Sequence, residues 1–203
     1  MIQRWDIITI GNLSRNRYWG ESDERPLRSG ICTCTLIQGR TFRLLVDPSL
    51  ENADRMTAEL DRRTGLKPDA VDAVFITHDH GDHHFGLRHF AGADWYAAPG
   101  VAQAINATGR YEKKVQAAEG SLFAGAVEIV PSPGHTDEQH SLRFYWDGLA
   151  VVVAGDAVMT REFWADRRGY FNSADFDQAS RTIDALTAVA DIIVPGHDNY
   201  FSV

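Results

Sequence analysis

Histidine and aspartate side chains are concentrated in one short stretch, "FITHDHGDHHFGL", which covers residues 75–87. Imidazole nitrogens and carboxylate oxygens bind divalent metal ions, so this composition indicates metal chemistry. His78 and His80 lie two apart, and in an extended or turning segment their side chains project to one side. Asp82 and His83 begin the next element and aim at a neighbouring point. The spacing therefore favours two metal centres over one.

Further ligands must come from distant parts of the chain, because a metal ion takes three or four protein ligands at short distance. Three are available, each after a strand-like run and a glycine: His135 in "SPGHT", Asp156 in "VVVAGDAV" and His197 in "IIVPGH". Ligand sites gather at the carboxyl ends of strands in an open sheet. The same local pattern, a strand followed by a glycine and a candidate ligand, occurs at three distant places. Packing alone explains such a recurrence less easily than it would explain a single histidine.

Hydrophobic periodicity identifies the elements that must position these residues. Helical periodicity is clearest over residues 51–64, before Gly65, and over 176–190, and a third helix is expected near 99–108. The predicted strands cluster at the start and again over 126–154, with helices between them, which predicts an α/β or α+β sandwich. The strand-like runs are "WDIITI", "ICTCTLIQ", "TFRLLVD", "VDAVFIT", "DWYAA", "VEIVPS", "HSLRFYW", "LAVVVAGD" and "DIIVPG".

A long polar loop is predicted over residues 11–30, as either a lid over a site or a solvated excursion. Its aromatic pair would be unusual on a purely solvated loop. The segment "TREFWADRRGYF", directly after Asp156, is also rich in aromatic residues. Loops that follow ligands border a site, so these side chains are candidates for a pocket wall, with ordinary core as the alternative. The six residues are Tyr18, Trp19, Phe163, Trp164, Tyr170 and Phe171.

Composition excludes several classes of protein. A chain of 203 residues, 44% hydrophobic and 24% charged, is expected to fold as one domain over residues 1–203. The net charge of -8 repels phosphate backbones, so nucleic acid is not an expected partner. No run of eighteen apolar residues and no export signal are found, which predicts no membrane span and a cytoplasmic location. A homodimer is compatible with the exposed aromatic loops.

The cysteines, Cys32 and Cys34, lie two apart in "ICTCTLI", where strand alternation points both side chains to one face. Neighbours in that geometry rarely form a disulfide. Two reduced, half-buried thiols are therefore expected, in agreement with a cytoplasmic location.

The run "HDHGDHHFG" carries the motif H-x-H-x-D-H-x-x-G, and with the three distant ligands the chain resembles the metallo-β-lactamase superfamily, particularly its short single-domain members. The resemblance extends from about Thr9 to Tyr200 and implies a four-layer αβ/βα sandwich. It implies that Asp156 bridges two metal ions and that Asp47, in "LLVDPS", supports a ligand without binding metal. The first metal would be held by His78, His80 and His135, and the second by Asp82, His83 and His197.

Such a site favours hydrolysis, because two divalent cations outweigh two ligating aspartates and one hydroxide. The remaining positive charge would stabilise a transition state that gains negative charge. Metal-bound hydroxide is the expected nucleophile, and Asp82 or Asp156 is available to take or return its proton. Tyr200, in "GHDNYF", is a candidate hydroxyl donor to the oxyanion. Zinc is the expected metal, although iron or manganese suits the same ligands.

The preferred substrate is a small ester, lactone or thioester. A glutathione thioester is disfavoured, because relatives of the glyoxalase II type carry an additional helical domain. Three alternatives stay open: a phosphodiesterase or ribonuclease, an iron-dependent dioxygenase and, least favoured because every ligand position is filled, a catalytically silent binding protein. Structural roles are expected for His84, His89 and His140. Asp79 is expected to be solvated or supporting, with a proton-handling role left open.

Overall fold

The computed structural model describes residues 1–118 and 120–203, and its first sheet has six strands in the order of the chain. The first three strands are antiparallel and the next three are added in parallel. The strands are β1 (Ile2–Thr9), β2 (Cys34–Gly39), β3 (Arg43–Val46), β4 (Ala73–Ile76), β5 (Asp94–Ala97) and β6 (Gln116–Ala117).

The second sheet has the order β12-β11-β10-β9-β8-β7. Its strands are β7 (Leu122–Phe123), β8 (Val127–Pro131), β9 (His140–Trp146), β10 (Leu149–Gly155), β11 (Ile192–Pro195) and β12 (Phe201–Ser202). The parallel pair formed by β10 and β11 places the carboxyl ends of both strands at one edge. That edge carries two of the distant ligands.

The described residues form five α-helices, which are α1 (Ala53–Thr64), α2 (Gly81–His84), α3 (Pro99–Ala107), α4 (Arg161–Ala165) and α5 (Phe176–Thr187). The side chain of Asn52 accepts a hydrogen bond from the Arg55 amide and begins α1, and Gly65 ends that helix at φ 74°. Asp175 caps α5 in the same way. The three predicted helices are confirmed with shorter bounds.

Strand alternation divides the core into layers. Leu44, Val46 and Phe75 of the first sheet pack between the sheets against Phe144 and Val153 of the second. The alternate residues of the first sheet pack under α1 and α3, and those of the second sheet pack under α5. The predicted four-layer αβ/βα sandwich is confirmed. Three strands of two residues, β6, β7 and β12, are too short for periodicity to reveal and were not predicted.

Both cysteines are free and fully buried, so the prediction of half-buried thiols was wrong. Cys34 begins β2, an interior strand that is covered on both faces, and Cys32, just before that strand, is enclosed by the segment after β3, where its Sγ lies 3.3 Å from the Asp47 carbonyl oxygen. Burial raises the pKa of Cys32 to about 12 and holds that of Cys34 well above its usual range. In the described part of the chain, no helix is both long and apolar enough to cross a membrane.

Candidate metal centre

The predicted ligands meet where β4, β8, β10 and β11 end. The two sheets are joined at this edge by a backbone hydrogen bond, in which the His140 amide donates to the Thr77 carbonyl over 3.0 Å. Thr77 directly follows β4 and immediately precedes the histidine stretch. The carboxyl ends of strands from both sheets therefore open onto one space.

Seven side chains converge there in two groups, and within each group one ligand atom per residue lies within 4.8 Å of the others. The first group contains His78, His80, His135 and Asp156, and the second contains Asp82, His83 and His197. The structure thus brings together the residues of each ligand set that the family resemblance implies, and their binding of metal stays a prediction. Cys32 and Asp47 form a third group with His83, behind the second.

Asp156 lies between the two groups. Its Oδ2 is 3.4 Å from Nε2 of His135 and 3.4 Å from Nε2 of His197. Its Oδ1 is 3.2 Å from Nε2 of His83, which belongs to the second group. His197 Nε2 is also 3.6 Å from Asp82 Oδ2. One carboxylate thus faces imidazoles from both groups, as a bridging ligand would.

Glycines allow this close approach. A Cβ atom on Gly196 would lie 1.8 Å from Asp156 Oδ1, so no other residue fits there without displacing the carboxylate. Gly155 has φ +56°, and a Cβ atom on it would lie 2.6 Å from Thr77 Oγ1. The glycines that precede two of the ligands in the sequence are therefore required by the packing of the site itself.

Asp47 supports the second group. Its carboxylate accepts hydrogen bonds from the Thr77 amide, over 2.8 Å, and from the Thr77 hydroxyl, over 2.7 Å. Its Oδ2 also lies 2.9 Å from Nδ1 of His83. Because a carboxylate only accepts, His83 carries a proton on Nδ1, and its Nε2 faces into the site. This geometry agrees with the supporting role expected for Asp47.

His197 is oriented by backbone carbonyls. Its Nδ1 donates to the carbonyl oxygens of Asn12 and Ile31, each at 3.0 Å, and Nε2 then faces Asp156. Asn12 and Ile31 pair as an isolated β-bridge at the two ends of the 11–30 loop. The base of this loop is therefore part of the support of the site.

Burial and mutual charge set the protonation of the site. Burial lowers the pKa of His135 to about 4 and holds that of His78 well below its usual range. Burial alone would raise the pKa of Asp156, but His83 and His197 hold it well below the ordinary value. Although burial opposes it, the nearby Asp156 carboxylate raises the pKa of His197, and Cys32 and Asp156 raise that of His83. Without metal, the site therefore combines an ionised carboxylate and two neutral imidazoles with two imidazoles that favour the protonated form, and metal binding to these last two would release protons.

Unpartnered buried atoms show that this donor set fits a cation. Among the described residues, Nε2 of His78, Nε2 of His83 and Oδ1 of Asp156 have no hydrogen-bond partner. Nε2 of His135 and Nδ1 of His80 face each other at 3.0 Å. Buried polar atoms without partners are costly, and a divalent cation in each of the two groups would satisfy these atoms.

A cavity of about 430 Å³ opens above the two groups. Its wall combines five of the seven predicted ligands with apolar side chains and with both ends of the 11–30 loop. This contact favours the lid interpretation of the loop over the solvated excursion. The lining residues are Leu13, Ser14, Ser29, Gly30, His80, Gly81, Asp82, Phe85, His135, Asp156, Tyr170, Phe171, Asn172 and His197.

Only two of the six candidate aromatic residues, Tyr170 and Phe171, line this cavity. The ring of Tyr18 packs on that of Phe163, with 5.0 Å between the centroids. Both belong to the small core under the loop, because the loop must bury apolar surface of its own. The other two also lie outside the described wall: Trp164 donates to Thr187 within another core, which is the alternative that the sequence left open, and Trp19 is 61% exposed.

Tyr200 is 48% exposed, and its ring packs edge-on against Trp5 at 5.3 Å between centroids. It is not among the described residues of the cavity wall, so the geometry gives no support to its predicted oxyanion role. The turn after His197 directs the chain into β12 instead of over the ligands.

The remaining histidines and Asp79 belong to neither of the two ligand groups. His84 is buried, with Nδ1 2.9 Å from the Tyr111 hydroxyl. His89 and His140 interact with backbone carbonyls of Glu51 and Glu138, respectively. Asp79 is exposed. Sequence reasoning missed the wall residues Leu13, Phe85 and Asn172 and the support residue Thr77, none of which carries a periodicity or spacing signal.

Two packed mixed sheets with a histidine and aspartate site at their common edge define a class of metal-dependent hydrolases. The sequence profile of the metallo-beta-lactamase superfamily matches residues 27–197. The chain belongs to this superfamily, and it is a metallo-hydrolase. No curated protein matches the chain significantly.

Solved structures share the fold. A Thermotoga maritima protein classed with the metallo-beta-lactamases is 20% identical, with a TM-score of 0.73 over 98% of this chain and 99% of that one. A quorum-quenching N-acyl homoserine lactone lactonase is 21% identical, with a TM-score of 0.72 over 99% of both chains. An N-acyl homoserine lactone hydrolase, with N-hexanoyl-L-homoserine at its catalytic metal centre, is 20% identical, with a TM-score of 0.70 over 98% of this chain and 94% of that one.

Proposed function

We propose that the protein is a dinuclear metal hydrolase, with zinc as the metal, that cleaves a small ester, lactone or thioester. The observation that carries this proposal is the position of Asp156 between the two ligand groups. A single carboxylate shared by two sets of imidazoles is suited to two neighbouring cations. The cavity directly above provides space for a small molecule.

The ligand residues would hold the ions as two sets that share Asp156. Bound divalent ions would lower the pKa of a water molecule to about 7 and polarise the substrate carbonyl. Nδ1 of His83 and Nδ1 of His197 each bind an acceptor oxygen. These hydrogen bonds fix both rings so that each Nε2 atom faces the site. Asp82 is 30% exposed, whereas Asp156 is only 4% exposed. Asp82 is therefore the carboxylate placed to pass a proton between the site and solvent.

The surroundings favour an uncharged substrate over a polyanion. A second cavity, of about 390 Å³, shares His80, His135 and Asn172 with the first. It is bordered by the carboxylates of Asp79, Asp137 and Glu138, and no Lys or Arg is found among its described lining residues. With the net charge of -8, this repels phosphodiesters at long range. A nuclease is thus the second choice.

Metal content and turnover together test the proposal. Protein purified without added metal is analysed by inductively coupled plasma mass spectrometry and assayed on esters, lactones, thioesters and a phosphodiester. We expect about two zinc ions per chain and hydrolysis of a carboxylic substrate. Asp156→Ala should lose metal and turnover, whereas His89→Ala, outside the site, should keep both. One iron and oxygen consumption would favour the dioxygenase, and protein that binds no metal after reconstitution would overturn the proposal.

A further inference from the structure

The wall of the cavity contains two phenyl rings, each covered by a guanidinium group. The Cζ of Arg15 lies 4.0 Å from the ring centroid of Phe171, and the Cζ of Arg110 lies 4.4 Å from that of Phe85. Such cation–π contacts hold a ring in place. Both rings line the cavity above the ligands. The structure therefore holds two apolar surfaces in fixed positions beside the reacting centre.

Arg15 is unusual because it is only 9% exposed and has no carboxylate partner among the described residues. Its Nη1 donates to the backbone carbonyl of Asp23, and its Nε has no partner in the described structure. A buried guanidinium without an ion pair is costly. Besides the hydrogen bond to the Asp23 carbonyl, the guanidinium packs on Phe171, which indicates that holding this ring is its role.

Phe171 is also held from its own side of the chain. The preceding ring, Tyr170, packs against it at 4.6 Å between centroids. The Tyr170 hydroxyl donates to the Arg15 carbonyl over 2.7 Å, which ties the 11–30 loop to this segment. Even so, Phe171 remains 37% exposed. A ring that is fixed on one face and exposed elsewhere, at a cavity, is a surface for an apolar group of a ligand.

We infer that Phe171, positioned by Arg15, determines the specificity of the site for substrates with an apolar acyl group, which packs on the ring while the scissile carbonyl lies at the ligands. This inference rests on the proposed function. It defines the substrate class as esters, thioesters or lactones of medium-length alkyl or aryl acids. Short acyl groups would not reach the ring and would gain nothing from it.

The test uses a series of p-nitrophenyl esters: acetate, butyrate, hexanoate and octanoate. For the wild type, kcat/KM should rise up to about fourfold for each added methylene while the chain covers the ring. In Phe171→Ala the ratio of octanoate to acetate should collapse. Arg15→Lys keeps the charge but loses the planar stack, so the ratio should fall partway. The control is Phe176→Ala, another exposed phenylalanine that is not a described wall residue, and it should keep the full ratio.

A second measurement separates this inference from the proposed function. Metal content and thermal melting of each variant show whether the fold and site persist. Binding of octanoate and acetate to the metal-loaded protein is measured by calorimetry, which requires no turnover. If the wild type hydrolyses no ester but binds octanoate more tightly than acetate, and Phe171→Ala loses that preference, the inference stands and the proposed reaction fails. Equal preference in wild type and Phe171→Ala, by rate or by binding, overturns the inference.

Discussion

The hydroxyl of Thr77 donates to Asp47 Oδ2 over 2.7 Å and also lies 3.2 Å from Nδ1 of His78. Since Asp47 in turn holds His83, one buried hydroxyl connects a ligand of the first group with a ligand of the second. Asp47 adopts φ 52°, a backbone conformation that is costly outside glycine. Three hydrogen bonds to its carboxylate stabilise that conformation.

Removal of this hydroxyl should weaken metal binding at both ligand groups. Thr77→Val preserves the shape of the side chain but leaves Asp47 with one bond fewer, and we expect a loss of about 10- to 100-fold in metal affinity. The measurement is competition with a chromophoric chelator. Thr77→Ser keeps the hydroxyl and should restore most of the affinity. Equal affinity in Thr77→Val and the wild type would show that the connection does not orient the ligands.

Addition of one methyl group at Gly196 should disrupt the site. The new Cβ would lie 1.8 Å from Asp156 Oδ1, and the carboxylate must move out of its position between the groups. We expect Gly196→Ala to retain at most one metal ion per chain and to lose turnover. Gly92→Ala is the matched control, because nothing lies within 4 Å of a Cβ atom there. Full metal content in Gly196→Ala would contradict the bridging role that we propose for Asp156.

Removal of metal should lower the stability of the fold. The site otherwise buries acceptor atoms without partners, and ligands that bind only the folded state stabilise it by mass action. At a free zinc concentration about 1,000 times the dissociation constant, the gain is about 4 kcal/mol. Thermal melting before and after chelation should therefore show a clear drop in Tm, reversed by zinc. An unchanged Tm in protein shown to lose its metal would argue against a metal-stabilised site.

Both thiols should be unreactive in the folded protein. Cys32 and Cys34 are fully buried, and burial raises the pKa of Cys32 to about 12. Because a raised pKa keeps the thiol protonated, the reactive thiolate is scarce at any pH at which the fold survives. Ellman's reagent should detect both cysteines in denaturant and neither without it. Fast reaction of the native protein at pH 8 would indicate that the segment around Cys32 and Cys34 opens to solvent.

The types and local settings of the ligands could be predicted from the sequence, because they depend on short-range rules. A strand, a glycine and a histidine or aspartate occur in sequence at His135, Asp156 and His197. The periodicity of α1 and α5 likewise lies within one element. The need for glycine at position 196, in contrast, could not be predicted from the neighbouring sequence. The group that excludes a side chain there is the carboxylate of Asp156, forty positions earlier.

The tertiary structure decided which side chains face the cavity. Tyr18 and Phe163 are of the same residue types as Tyr170 and Phe171, and the sequence made all four candidates for the pocket wall. Only Tyr170 and Phe171 line the site. The same holds for Tyr200, which the course of β12 places on Trp5. Metal-ligand character belongs to the residue type and follows from sequence alone. The direction of a loop side chain depends on which distant surface the loop buries, and that is settled only when the sheets and the 11–30 loop pack together.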